Sequence, residues 1–273
     1  MRPITIAAAL LAAAGCGSGD DHVAIGTISV RHPAGPDVRW LNVRNAIGSI
    51  RVTPAADDEI AVRADVSVRP ALRSRHPVAE PERDLRVIQE DDVVSITCPH
   101  SRDGSDWKLD LAITAPARLH WTIVQTAGAV RLAGDGTHIS ASVAAGDLEV
   151  SGAVGHLELV ATAGALWVDV ERLGGGFLNA TTGAVKVVVR DSGPTEELTL
   201  AAAAGGVEIE LPRDASVDVE LDASLGGIEV RGAPDVKREK GLVGQRASGS
   251  VGRGGPRVTA TAGVGGIRFA VRD

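Results

Sequence analysis

Aromatic residues are nearly missing from this chain. Its 273 residues include four Trp, two Phe and no Tyr. That scarcity argues against a base-stacking surface or a sugar-stacking platform. It also means that any core is built from aliphatic side chains held between narrowly spaced walls. Two cysteines, Cys16 and Cys98, cannot make a disulfide framework. Positive charge is not in excess either. The net charge is −7, so the chain lacks the electrostatic footprint of a nucleic-acid binder. The apolar stretch at residues 4–14, broken only by Thr5, is too short to span a bilayer. No G-x-S-x-G elbow, no G-x-x-x-x-G-K-[ST] loop and no H-E-x-x-H pair occurs, and Gly254-Gly255 lacks the Lys-Ser/Thr of a phosphate loop.

What is present begins with a leader. Arg2 supplies a charged start, residues 4–14 an apolar segment, and Ala13-Ala14-Gly15 the small residues before Cys16. The Ala13-Ala14-Gly15-Cys16 run resembles a bacterial lipobox. In a lipobox the thiol is diacylated and the cysteine becomes the new N-terminus. Residues 1–15 are thus expected to be a signal peptide, with Cys16 the lipid-attachment site and residues 16–21 a lipidated tether. Acyl chains contribute about 0.8 kcal/mol per buried CH₂, enough for stable anchoring. Gly17 follows the cysteine where Asp would signal inner-membrane retention, so the expected location is the cell envelope, on the outer membrane if there are two. The alternative is an ordinary secretory signal cut after an Ala, with Cys16 incidental.

An internal repeat dominates the remainder. The heptad small-small-Gly-small-aliphatic-x-aliphatic recurs around Gly48, Gly128, Gly146, Gly164, Gly183, Gly205, Gly226 and Gly265. From Gly128 to Gly226 successive copies are 18 to 22 residues apart; Gly265 follows after a longer gap. Each glycine is preceded and followed by period-two alternation, such as Leu157 and Leu159 before Gly164 and Leu166 and Val168 after it, which reads as two strands with one face buried. Glycine allows a corner that a residue with a Cβ resists. One coil of about 18 residues would lose roughly 18–36 kcal/mol of backbone entropy. Its four aliphatics return only roughly 6–12 kcal/mol, so coils must stack to fold. The predicted fold is all-β: a right-handed β-solenoid, a parallel β-helix-like stack of 18–22-residue coils, over residues 121–273. Residues 22–120 form a less regular N-terminal β region with the first coils, or else a small β-sandwich. A charged loop is expected over residues 69–84, a second over 100–106, and a mobile Gly-rich loop over 233–256.

Three features together resemble the bacterial "putative adhesin" solenoid family, whose members carry a domain of unknown function. They are the TAGAV/TTGAV/LGGIEV heptads, the pair Ile113-Thr114-Ala115-Pro116 and His120-Trp121-Thr122-Ile123 echoed by Leu211-Pro212 and residues 217–221, and the Gly-rich segment leading into Val258-Thr259-Ala260-Thr261 and Gly265-Gly266-Ile267. The resemblance covers roughly residues 38–273. It implies an exported or membrane-anchored protein, and it brings no catalytic residues to carry over.

Few residues suggest chemistry. His120, His138 and His156 each lie eight residues before a repeat glycine, so a regular stack places them in a ladder about 4.8 Å apart. Three such imidazoles could take a divalent metal; the simpler reading is a polar position at a strand start. Asp57-Asp58-Glu59 and Glu90-Asp91-Asp92 read as solvated turn acids, and Cys98 as a small buried hydrophobe. No cofactor is implied. The functional expectations are three. The first is a non-catalytic scaffold or adhesion-like module that is held to the membrane by N-terminal acyl chains and binds an envelope protein or polymer. The second is a polysaccharide-acting β-helix enzyme. The third is an envelope sensing or regulatory lipoprotein.

Overall fold

A computed structural model of the protein is almost entirely β-sheet, with one helix of four residues. It describes residues 5–9, 22–81, 83–98 and 106–272. Cys16, the tether and most of the loop expected at 100–106 lie outside the described residues. Among the described residues no helix is long and apolar enough to cross a membrane. The chain divides into two units, Met1–Arg131 and Leu132–Asp273.

The N-terminal unit contains β1 (Thr5–Ala9), β2 (Val23–Pro33), β3 (Trp40–Ile47), β4 (Ile50–Ala55), β5 (Glu59–Val68), α1 (Pro70–Arg73), β6 (Arg86–Glu90), β7 (Val93–Thr97), β8 (Trp107–Pro116) and β9 (His120–Ala127). Strand β2 runs antiparallel to β1 and to β5, β5 antiparallel to β8, and β8 parallel to β4. Strand β3 is parallel to both β7 and β9, and β6 closes antiparallel on β7. The pairing of β9 with β3 puts residues 120–127 in this unit, so the division falls after Arg131 and not at residue 120. Pairing is parallel around the Gly48 corner and antiparallel around β5.

Two polar clusters, one of them buried, fix this unit's loops. Asp84 has no exposed side-chain surface. Its carboxylate accepts Arg83 Nε at 2.6 Å, Arg83 Nη2 at 2.8 Å and the Glu80 N–H at 2.8 Å. Arg83 also lies 5.7 Å from the Trp107 ring centroid. The charged loop is therefore pinned to β8, because a buried carboxylate is tolerable only when fully paired. Arg118 donates to the carbonyls of Val38, Ala34 and Gly35 at 2.6–2.9 Å and pairs with Asp58 at 3.1 Å. Cys98 is buried, and desolvation pushes its thiol up to about 12, which keeps it unreactive.

The C-terminal unit contains most of β10 (Val130–Ala145), then β11 (Leu148–Ala163), β12 (Leu166–Thr182), β13 (Val185–Ser192), β14 (Leu198–Ala204), β15 (Val207–Leu211), β16 (Val217–Leu225), β17 (Ile228–Arg231), β18 (Lys237–Lys240), β19 (Gln245–Val251), β20 (Arg257–Val264) and β21 (Ile267–Val271). Two parallel ladders run through it. Segments after the repeat glycines pair in the order β11, β12, β13, β15, β21, β17. Segments before them pair in the order β11, β12, β14, β20, β16. Alternation sends every second residue inward, so the ladders line up buried rows. Leu148, Leu166, Val185, Val207, Ile267 and Ile228 form one. Ala161, Ala180, Ala202, Ala262 and Ala223 form another. The interior is accordingly aliphatic and narrow near the corners.

Two findings differ from the sequence reading. The last repeat does not follow the Gly226 coil at the end of the stack. Strands β20 and β21 insert between β14/β15 and β16/β17, so the C-terminal coil gains parallel partners on both sides. The stretch expected to be a mobile loop instead forms the antiparallel hairpin β18–β19, and β19 pairs antiparallel with β16 along Val217–Ala223. An antiparallel strand and a short edge strand of Lys, Arg, Glu and Lys close that side of the sheet to further parallel pairing.

The corners explain the glycines. Gly164, Gly183, Gly205 and Gly265 have φ between +140° and +153°, and a Cβ on each would lie inside the van der Waals envelope of the neighbouring glycine's carbonyl oxygen. The backbones thus touch directly at each rung. We expect Gly183→Ala to destabilise the protein by about 2–6 kcal/mol, from a strained φ and backbone overpacking together. Gly227→Ala, whose Cβ would meet nothing nearer than Gln245 Oε1 at 4.0 Å, should change stability by no more than about 1 kcal/mol. Denaturant titration of both variants checks the contrast.

Candidate functional site: a charged groove with one exposed tryptophan

The outward positions of the ladder that follows the repeat glycines form a register row. Glu149 stands opposite Trp167, Trp167 opposite Lys186, Lys186 opposite Glu208, Glu208 opposite Arg268, and Arg268 opposite Glu229. The same alternation that buries Leu166 and Val168 turns Trp167 outward, where it is 54% exposed. Beside this row lies a groove of about 650 Å³. Its floor is made of the small residues that follow the repeat glycines: Ala184, Gly206, Gly266 and Gly227. Arg238 and Gln245 from the β18–β19 hairpin also line it. They are held by the edge of β17, where Gln245 Oε1 accepts the Ile228 N–H at 2.7 Å and Arg238 Nη1 donates to the Ile228 carbonyl at 3.2 Å.

The charges in and beside the groove are mostly paired with one another, whereas Arg238 meets the Ile228 carbonyl. Lys186 Nζ lies 3.2 Å from Glu208 and 3.7 Å from Glu210. Arg268 Nε is 3.1 Å from Glu229 Oε2. Arg272 Nη2 is 2.6 Å from Glu210, and Arg190 grips Asp169 through two hydrogen bonds of 2.6 and 2.5 Å. The Arg190 guanidinium, chiefly by hydrogen bonding, holds the Asp169 carboxyl below its ordinary value, and Arg272 does the same to Glu210. Arg231, then Arg268, does so to Glu229. A carboxyl held ionised in this way is a poor proton donor near neutral pH, and glycosyl hydrolysis needs the opposite shift in its general acid. The groove presents hydrogen-bonding groups and one flat apolar face, with little uncompensated charge.

The three histidines of the expected ladder fall in both units, His120 in the first and His138 and His156 in the second. His138 and His156 are neighbours, with ring centroids 6.0 Å apart, and His156 faces Gly175 in register as the repeat spacing requires. His156 Nδ1 lies 3.4 Å from Glu196 Oε2. His120 belongs to the N-terminal unit, where its ring stands 4.7 Å from that of Trp40. Among the described residues no group of three or more His, Cys, Asp or Glu side chains could hold a metal ion. One of the few aromatics, Trp167, stands at an outward register of the row beside the groove. The signal was available in the heptad Thr162-Ala163-Gly164-Ala165-Leu166-Trp167-Val168: an aromatic occupies a position that is charged in the neighbouring copies.

No family model matches this sequence, and no curated protein does. Some solved structures are similar at low identity. A putative adhesin from Bacteroides fragilis NCTC 9343 is 14% identical, with a TM-score of 0.43 over 89% of this chain and 96% of that one. A putative cell adhesion protein from Clostridium sporogenes ATCC 15579 is 12% identical, with a TM-score of 0.36 over 89% and 99%. A putative adhesin from Parabacteroides merdae ATCC 43184 is 12% identical, with a TM-score of 0.37 over 90% and 96%. Scores of this size do not establish a shared fold, and the chemistry of the groove is taken from its own residues.

The paired carboxylates set an acid limit. A carboxyl depressed in the folded state contributes stability that is complete above its unfolded value, 3.8 for Asp and 4.5 for Glu, and is lost as pH falls through the lower folded value. Melting temperature should therefore be insensitive to these groups from pH 7 to about 5 and should fall below about pH 4.5. The triple variant Asp169→Asn, Glu210→Gln, Glu229→Gln should show a shallower acid slope in the same scan.

Proposed function

We propose that this chain is a lipid-anchored, non-catalytic binding module of the bacterial cell envelope, and that its ligand is an uncharged or weakly charged glycan chain lying along the Trp167 groove. The groove carries this reading. A sugar ring offers a C–H face that suits an exposed indole and hydroxyls that both donate to carboxylates and accept from Lys and Arg. Because most of the cations and carboxylates pair with one another and only Arg238 meets a carbonyl instead, the groove suits a polyhydroxyl chain of low charge. The small-residue floor crosses successive strands, which suits a linear polymer. On this reading the parallel ladders are a right-handed β-solenoid. The leader is removed ahead of Cys16, and acylation there tethers the protein to the outer membrane where two membranes are present. Removal of the leader would strip β1 from β2 and leave β2 paired with β5.

Adhesion is the consistent use of a surface that binds without acting. Two experiments test the two halves of the reading. Affinity electrophoresis through envelope polysaccharides should retard the protein, and Trp167→Ala should weaken binding about tenfold or more, a loss of about 1.4 kcal/mol or greater; unchanged retardation of that variant refutes the groove. Metabolic labelling with a palmitate analogue should mark the wild-type chain and leave Cys16→Ala unmarked.

A further inference from the structure

The β18–β19 hairpin ends in Gly241-Leu242-Val243-Gly244. Leu242 is fully exposed and Val243 is 73% exposed. A single exposed aliphatic needs no explanation, but these two adjoin at the turn of the hairpin. A Cβ at Gly244 would press on the carbonyls of Ala223 and Ser224, so the base of the tip lies against the end of β16. There Leu225 and Val264, register partners on β16 and β20, are also more than half exposed. The hairpin strands flanking the tip are basic. Lys237, Arg238, Lys240 and Arg246 face a single acid, Glu239, within residues 237–246 of a chain whose net charge is −7. Arg246 pairs with Asp222 at 2.8 Å, while Lys237 and Lys240 are exposed.

An exposed apolar turn on a hairpin with an excess of cations matches a membrane surface. The acyl boundary of a bilayer accepts the aliphatics, and anionic headgroups meet the exposed lysines. We propose that Leu242 and Val243 insert into the surface of a membrane containing anionic lipid, giving the C-terminal unit its own membrane contact. This inference does not rest on the glycan reading of the groove.

The test uses the full chain with Cys16→Ala and Leu242→Cys, labelled with an environment-sensitive nitrobenzoxadiazole probe. Cys98 is buried and its thiol is unreactive, so labelling is confined to the new site. A second chain carries the probe at exposed Ser248 on the same hairpin. With phosphatidylcholine vesicles containing phosphatidylglycerol, the Leu242 probe should shift to the blue and brighten about twofold or more, and the Ser248 probe should not. In vesicle co-sedimentation, Leu242→Asp with Val243→Asp should lower partitioning about tenfold or more. The proposal is overturned if the Leu242 probe does not respond, if both sites respond alike, or if the double variant partitions as the parent does. An equal response with pure phosphatidylcholine overturns the assignment to anionic headgroups. A melting temperature unchanged by the double substitution shows that any loss belongs to the tip and not to the fold.

Discussion

The architecture of the C-terminal unit depends on backbone meeting backbone at a column of glycines. Gly146, Gly164, Gly183, Gly205, Gly265 and Gly226 stack so that each α-carbon sits against the carbonyl oxygen of the next. No side chain fits between them, so the strands on either side are held at ladder distance and their registers cannot slip independently. Because the side-chain period in a strand is two, a fixed corner also fixes which residues face inward over the whole coil. The Ala161 to Ala223 row beside the column is the packing counterpart: where the walls converge at the corner, only a methyl group fits. The N-terminal unit uses the same device once, at Gly48 and Gly128, with Gln125 Nε2 donating to the Gly48 carbonyl at 2.8 Å and to the Ala127 carbonyl at 2.6 Å.

This dependence explains what could be read from the sequence. The heptad is a local pattern, so the corners, the strands flanking them and the inward rows were all legible; Gly164 with Leu157, Leu159, Leu166 and Val168 sits as alternation requires. The parallel pairing of neighbouring coils followed from their even spacing. Illegible features depend on contacts between distant segments. Nothing local in Ile267-Arg268-Phe269 says that it pairs with both Val207 and Ile228 partners. Composition made residues 233–256 look like a loop, because a short Gly-, Ser- and Lys-rich hairpin has little hydrophobic periodicity of its own and is ordered by pairing with β16. Asp84 was hidden for the opposite reason. A charged residue in a charged loop reads as solvated unless its partner and the ring beneath are seen together.

The candidate groove follows from the same geometry. Outward positions beside a glycine corner form a row, and the small residues after the glycines form a floor beside it. The row must carry polar residues to remain soluble, and at a pitch of about 4.8 Å unlike charges on adjacent rungs attract. Ion pairs such as Lys186–Glu208 and Arg268–Glu229 are the result, and exposed pairs of this kind add little to stability. Their larger effect is chemical. Pairing removes the net charge that would otherwise select an anion or a cation, and it leaves oriented donors and acceptors beside Trp167. A tryptophan in that row is costly to leave in water, and this cost makes it informative.

The inserted coil links the fold to the place where binding is proposed. Strands β20 and β21 occupy an interior rung, so Arg268 reaches the groove between Glu208 and Glu229. Strands β14 and β16 are joined through β20, and Gly266, which precedes β21, lines the groove. The β18–β19 hairpin comes just before β20 in the chain. It covers the outer edge of β16, which leaves β20 a single vacancy bounded by β14 and β16. Closing the edge of β16 with an antiparallel hairpin and filling the gap beside β14 with β20 and β21 are thus two parts of one solution, and Arg238, Gln245 and Arg268 from those segments line the groove.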